Sequence, residues 1–219
     1  AATAFLKAWD GAFDLESRGA VLYDALLAEI TRRTWDEFMI PEENQRVTTP
    51  SGVMLVRLLD DRESIWWDDR STVGVREDRD AILVSSLRDA WTSTRSRRGN
   101  DPQSWRWGNQ RFASIRHLLQ LPGFGRESLA VQSGPGTLSP NDGRGIHGAS
   151  WRFVVEMGDG IQAWGTYPGG QSGNPVSSRY ADRIALWQKG ELAPLRIPRT
   201  AAELTAGALV SSLTFTPEP

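Results

Sequence analysis

The sequence predicts an α+β fold, with helices in its first half and a hairpin followed by a helix in its second. Three observations carry that prediction. Apolar residues recur at helical spacing over residues 21–38 and again over 82–91, residues 151–167 alternate on either side of a Gly-Asp-Gly turn, and no self-similar repeat suggests a solenoid. With 219 residues, 39% hydrophobic and 24% charged, the chain suits one globular unit with a sizeable core. Within it, a helical part (1–100) precedes a loop-rich part of strand and helix (101–219).

Residues 4–13 read as a helix closing near Trp9-Asp10-Gly11, where glycine takes the left-handed cap. Ser17 is placed to cap the next helix, whose stripe of Val21, Leu22, Ala25, Leu26 and Ile30 runs on through Trp35 and Phe38 to Pro41. Pro50-Ser51 opens a third helix carrying Val53, Met54, Val56, Leu58 and Leu59. Trp66 to Arg70 is expected to be a solvated acidic turn, since its spacing lacks the alternating ligands and glycine of a calcium-binding loop. Over 78–98 the fourth helix sets Ile82, Leu83, Ser86, Leu87, Ala90 and Trp91 on one face. Arg95, Arg97 and Arg98 in its last turn offset the helix dipole, and Gly99-Asn100 stops it. The rival reading of those arginines, an anion patch, requires more than one short basic run.

Residues 111–119 suggest a short strand or extended segment, and the glycine-punctuated stretch up to Gly148 a long irregular connection. Such connections are usually functional or rest on a partner surface. Trp151, Phe153 and Val155 then alternate with Arg152, Val154 and Glu156, which predicts a strand with one fully buried face. Gly158-Asp159-Gly160 reverses the chain, residues 161–167 return, and Pro168 with Gly169-Gly170 ends the hairpin. The small residues from Gly169 to Asn174 permit close approach of another backbone. Ser177 or Ser178 is expected to cap a helix with Tyr180, Ile184 and Trp187 on its inner face, which Gly190 ends. Beyond Leu195, a short helix over 201–206 and a strand over 209–216 are predicted.

The order Ser150-Trp151-Arg152-Phe153-Val154, Gly170-Gln171-Ser172-Gly173, then Tyr180-Ala181-Asp182 with Trp187 resembles the C-terminal end of the β-chain in the penicillin acylase family of N-terminal nucleophile hydrolases. Weaker echoes stand at Trp9-Asp10-Gly11 and Trp107-Gly108-Asn109, in the same order along the chain. The resemblance implies the C-terminal portion of an αββα β-chain. It also implies a parent that cleaves an acyl amide, attached to a β-lactam nucleus, a homoserine lactone or a lipopeptide, through an N-terminal serine outside these residues. The implied partners are the α-chain and the N-terminal part of the β-chain. A bacterial periplasmic or secreted parent is implied as well; no cofactor is assigned to this chain, and calcium is left open for the parent.

The residues themselves offer little chemistry. An N-terminal nucleophile needs Ser, Thr or Cys in first place so that its own amine serves as base, and this sequence starts with Ala1, with Thr3 unlike the family's start. No catalytic, cofactor or metal residue is therefore assigned. Ser172 sits in a near match to the G-x-S-x-G elbow, but Asn174 replaces the last glycine and Pro175 delays the helix, which disfavours a triad with His147 and Asp182. His117 and His147 are the only histidines and neither belongs to an H-x-x-x-H pair, so zinc would need both to converge with a carboxylate, and the absence of cysteine rules out a thiol nucleophile. A net charge of −2 gives no basic field for nucleic acid or anionic lipid, and no apolar run is long enough to span a bilayer. The first eleven residues lack a signal-peptide layout. The ten tryptophans are read as core rather than as a stacking surface, because several have aliphatic neighbours at helical or strand spacing.

What the pattern does suggest is a structural loop formed by Arg152, Gln171, Ser172, Gly173 and Asp182. An arginine in an apolar strand must find acceptors, so Arg152 is expected to bond the 170–174 loop or pair with Asp182, with Gln171 answering nearby backbone groups. Three functions are weighed: a structural fragment of an acylase, a binding module descended from one, and an independent serine hydrolase using Ser172.

Overall fold

Two long helices organise the first half of the chain. The structure is a computed structural model describing residues 1–40, 45–46, 48–138, 148–196, 203 and 213–216. In it α1 spans Ala2–Lys7, α2 Gly19–Thr34, α3 Gly52–Leu58 and α4 Arg79–Arg98, with α2 lying along α4 as the principal helix pair. The Asp78 carboxylate accepts the Ala81 amide at 2.8 Å to start α4, and Gly99 at φ 100° ends it.

Between and around these helices the aromatic residues close two adjoining cores. One gathers Ala20, Val21, Leu22, Ala90, Trp105 and Trp107, with Phe5 and Trp91 meeting Trp105 edge to face at 5.5 and 5.4 Å. The other holds Ile30, Trp35, Leu55, Trp67 and Ile82. Both are built on α2 and α4, the first closed by Trp105 and Trp107 from just after α4. Five of the ten tryptophans are buried (Trp35, Trp67, Trp105, Trp107 and Trp187), in line with the core reading.

Several sequence expectations are corrected here. α1 ends before Trp9, because the Asp10 carboxylate accepts the Ala12 amide at 3.0 Å and the Trp9 indole donates to the Ala12 carbonyl at 2.8 Å, a local turn that competes with the helix. α2 ends at Thr34, and a single 3-10 turn over Asp36–Phe38 keeps Trp35 and Phe38 against the core beyond it. In α3 the inward residue is Leu55, which the predicted stripe omitted; Val53, Met54 and Val56 are 62%, 46% and 64% exposed. The acidic turn is not solvated throughout. Asp69 is buried, paired with Arg33 at 3.1 Å and bonded by the amide and hydroxyl of Ser71, while Arg33 also reaches Asp89.

The second half is built of small antiparallel sheets. β1 (Met39–Ile40) pairs with β2 (Gln45–Arg46), and β3 (Phe112–Ile115) with β4 (Arg126–Ala130). β4 lies within the stretch expected to be irregular. A register shift between Ala113 and Ile115 and the positive φ of Ser128 (56°) break its alternation, which hides it from a period-two reading. β5 (Arg152–Glu156), β6 (Gln162–Thr166) and β7 (Ala193–Leu195) form a sheet in that order, with the helix α5 (Ile184–Lys189) standing in the chain between β6 and β7. The hairpin matches its prediction; β7 was not foreseen, and α5 is shorter than expected because residues 177–183 form turns.

The face of β5 expected to be buried is open. Register pairs Phe153 with Gly165 and Val155 with Ala163, and Ala163 with Leu195, so these apolar residues share one face with Trp151. On it Trp151 is 46%, Phe153 59% and Val155 39% exposed. The opposite face carries Thr166, 1% exposed, and Arg152. The predicted helix over 201–206 and strand over 209–216 fall almost wholly outside the described residues.

Candidate functional site

The loop singled out from sequence is held by backbone contacts. The Ser172 amide donates to the Arg179 carbonyl at 3.2 Å and the Arg183 amide to the Gly169 carbonyl at 3.0 Å, folding residues 169–183 back on themselves. Close approach occurs at Gly170, where a Cβ would overlap the Arg179 carbonyl and the Tyr180 backbone, whereas one at Gly173 would meet nothing within 4 Å. Ser172 Oγ accepts the Asn174 amide at 3.1 Å, and Asn174 Oδ1 accepts the Val176 amide at 3.1 Å, so the polar side chains serve as turn formers. The Tyr180 hydroxyl ties this loop to the β3–β4 connection by donating to the Phe124 carbonyl at 2.6 Å.

Arg152 reaches past the loop to α5. Its guanidinium donates to the Trp187 carbonyl at 2.6 Å and lies 5.1 Å from the centroid of the Trp187 ring, which in turn donates its indole N–H to the Ala149 carbonyl at 2.8 Å. Burial pulls the Arg152 pKa below its ordinary value. The expected pairing with Asp182 is replaced, because Asp182 pairs with Arg179 at 3.2 Å. The Trp187 carbonyl, which also accepts the Gly190 amide at 3.2 Å where Gly190 at φ 73° closes the helix, is the acceptor that sequence reasoning missed. Its signal was available in the Trp187 to Gly190 cap, three dozen positions from Arg152. Gln171 is exposed and makes no side-chain bond to another described residue.

Ser172 and Asp182 are each engaged in local structure, and His147, the remaining member of the triad weighed above, lies outside the described residues. His117 accepts the Leu119 amide at Nδ1, 3.3 Å away, and packs against Phe124. Among the described residues, no group of three or more histidine or acidic side chains is placed to hold a metal ion, and no helix is long and apolar enough to cross a membrane.

Comparison with known proteins follows the same line. The family model described as penicillin amidase matches residues 1–203. An acyl-homoserine lactone acylase of Pseudomonas syringae pv. tomato is 32% identical over 236 residues, covering 97% of this chain and 28% of that protein. The corresponding acylase of Pseudomonas putida is 30% identical, covering 87% of this chain and 25% of its own length. The chain thus spans about a quarter of the curated relatives it matches. Among solved structures, a thermostable penicillin G acylase from Alcaligenes faecalis superposes with a TM-score of 0.56 at 18% identity, over 100% of this chain and 43% of that one, a likeness of fold.

Proposed function

Because the chain belongs to the penicillin amidase family, we propose that it is the C-terminal structural part of an acylase that hydrolyses the amide of an N-acyl homoserine lactone. In this reading the nucleophile is an N-terminal serine outside these residues, and its α-amine acts as base. The residues here serve as scaffold for it. One observation carries the reading: a chain aligned over 97% of its length occupies only 28% of the acylase it matches. The open apolar face of the β5–β7 sheet supports it, since a surface of that kind is normally covered by another part of a protein. The partners are the α-chain and the N-terminal part of the β-chain, and the parent is periplasmic or secreted.

The test compares the 219-residue chain with a protein extended by the remaining portions, each incubated with an N-acyl homoserine lactone while the freed amine is measured. Turnover is expected from the extended protein only, and there Ser172→Ala leaves it unchanged. Turnover by the chain alone that disappears in Ser172→Ala would overturn the proposal and reinstate an independent serine hydrolase.

A further inference from the structure

The sheets of this chain end in edges of two kinds. A strand at an edge directs alternate N–H and C=O groups away from its neighbour, and natural proteins blunt such edges with brevity, proline, bulges or charge. Most edges among the described strands are blunted in this way. β1 and β2 are two residues long, the β3–β4 pair is broken by its register shift and the left-handed Ser128, and β7 has three residues with Pro194, which carries no N–H, at its centre. β5 has none of these devices. It pairs with β6 in unbroken register from Arg152 to Glu156, and among the described residues no strand lies on its other side. Its three central residues are Phe153-Val154-Val155, with charge confined to the two ends. They are open on both faces of the sheet, Phe153 and Val155 on one and Val154 on the other.

Any apolar layer can cover an open face, but a row of in-plane N–H and C=O groups is answered in full by another extended backbone. The occupant must come from a chain long enough to supply one. Here the chain occupies 28% of the acylase it matches, and the solved acylase of like fold contains it within 43% of its own chain. We infer that the outer edge of β5, over Phe153 to Glu156, takes a further strand from the part of the acylase outside these residues, so that the three-stranded sheet is the margin of a wider one. Main-chain hydrogen bonds hold that strand, and its side chains are apolar on both faces, continuing those of Phe153, Val154 and Val155. This inference rests on the reading of the chain as part of a longer acylase, and it adds which edge is extended and by what kind of element.

The experiment follows amide hydrogen exchange across β5 by mass spectrometry with residue-resolving fragmentation, in the 219-residue chain and in the protein extended by the remaining portions. In the shorter chain the amides bonded to β6 are expected to be protected, and the alternate, outward ones between Phe153 and Glu156 to exchange freely. In the extended protein the outward amides should slow at least about tenfold, the scale of one net backbone hydrogen bond. Packing against a face alone would bury side chains and leave these amides without acceptors. Outward amides equally fast in the two proteins overturn the inference. Full protection already present in the 219-residue chain overturns it as well, since the edge would then be answered within that chain. Protection in the shorter chain that rises with its concentration, and is missing from the extended protein, assigns the edge to a second copy and also overturns it. Release of amine from an N-acyl homoserine lactone is read from the same extended sample. Turnover without β5 protection ends this inference and spares the acylase reading; β5 protection without turnover does the reverse.

Discussion

In the helical half Trp67, Trp105 and Trp107 are at most 1% exposed, whereas in the sheet half Trp151 and Phe153, equally aromatic, stand 46% and 59% open. The two regions have similar patterning and different closure. α2 and α4 turn their stripes toward each other, and the turns before and after α4 supply tryptophans whose indole N–H groups find carbonyls: Trp67 on Asp61 at 2.7 Å, Trp107 on Ser133 at 2.8 Å. In the β5–β7 sheet α5 meets one side through Trp187 and Arg152, while Val154 farther along that side is 54% exposed and the other side carries Trp151 and Phe153 in the open. A hydrophobic pattern therefore specifies which face wants burial, and the presence of a second layer is a separate fact. In this chain the first half contains its own second layer.

The largest test of that contrast is Trp67→Ala. Removing a fully buried indole from the second helical core leaves a cavity and orphans the Asp61 carbonyl, and large aromatic truncations of this kind cost about 3–5 kcal/mol. Urea unfolding followed by tryptophan fluorescence should show the midpoint fall sharply. A loss under about 1 kcal/mol would mean that the helical half is not the closed core described above.

Next in size is Asp69→Ala, expected to cost about 3 kcal/mol because it leaves the partly buried Arg33 with Asp89 alone and removes the acceptor of Ser71. Burial alone would raise the Asp69 pKa. The two Ser71 hydrogen bonds and the charge of Arg33 outweigh it, so the folded pKa lies below the ordinary value. A depressed carboxyl pKa means that the unfolded chain binds the proton more readily, so the stabilisation is complete above the unfolded pKa near ~3.9 and is lost as pH falls through the folded one. The stability gap between the parent chain and Asp69→Ala should be full at neutral pH and shrink in that acidic window. Asp24 and Glu37, whose pKa values burial raises, act with the opposite sign, but in both proteins alike, so the difference isolates Asp69. A gap independent of pH would break the assignment.

The same contrast explains what was legible in the sequence. α2, α4 and the β5–β6 hairpin were readable because their signals are local: a 3.6-residue stripe, an Asp cap at 78, glycines at 99 and 158–160. β4 was hidden by a bulge and a left-handed Ser128, and β7 by its brevity. At the candidate loop, crowding at Gly170 followed from the run of small residues, but the choice of Arg152 for the Trp187 carbonyl over Asp182 is a long-range decision among several acceptors, which spacing does not encode. The Arg33–Asp69 pair escaped notice for the same reason. Chain distance hid the partner, and a run of acidic residues looks the same whether solvated or buried.

The smallest expected effect is the most informative about the open face. Phe153→Ser alters a side chain that is 59% exposed and opposite Gly165, a partner with no side chain to pack, so the 219-residue chain should change stability by no more than about 0.5 kcal/mol. Self-association should fall, since one large apolar group is removed from a contiguous patch with Trp151 and Val155. In a longer acylase that covers the sheet, the same substitution should instead cost about 2 kcal/mol, the order expected when a buried phenylalanine is lost from water-excluded contact. Urea midpoints of both proteins, with sedimentation velocity of the shorter one, separate these outcomes. A loss above about 1 kcal/mol in the 219-residue chain would mean that the face is already packed there, and the distinction between a closed helical half and an open sheet half would fall.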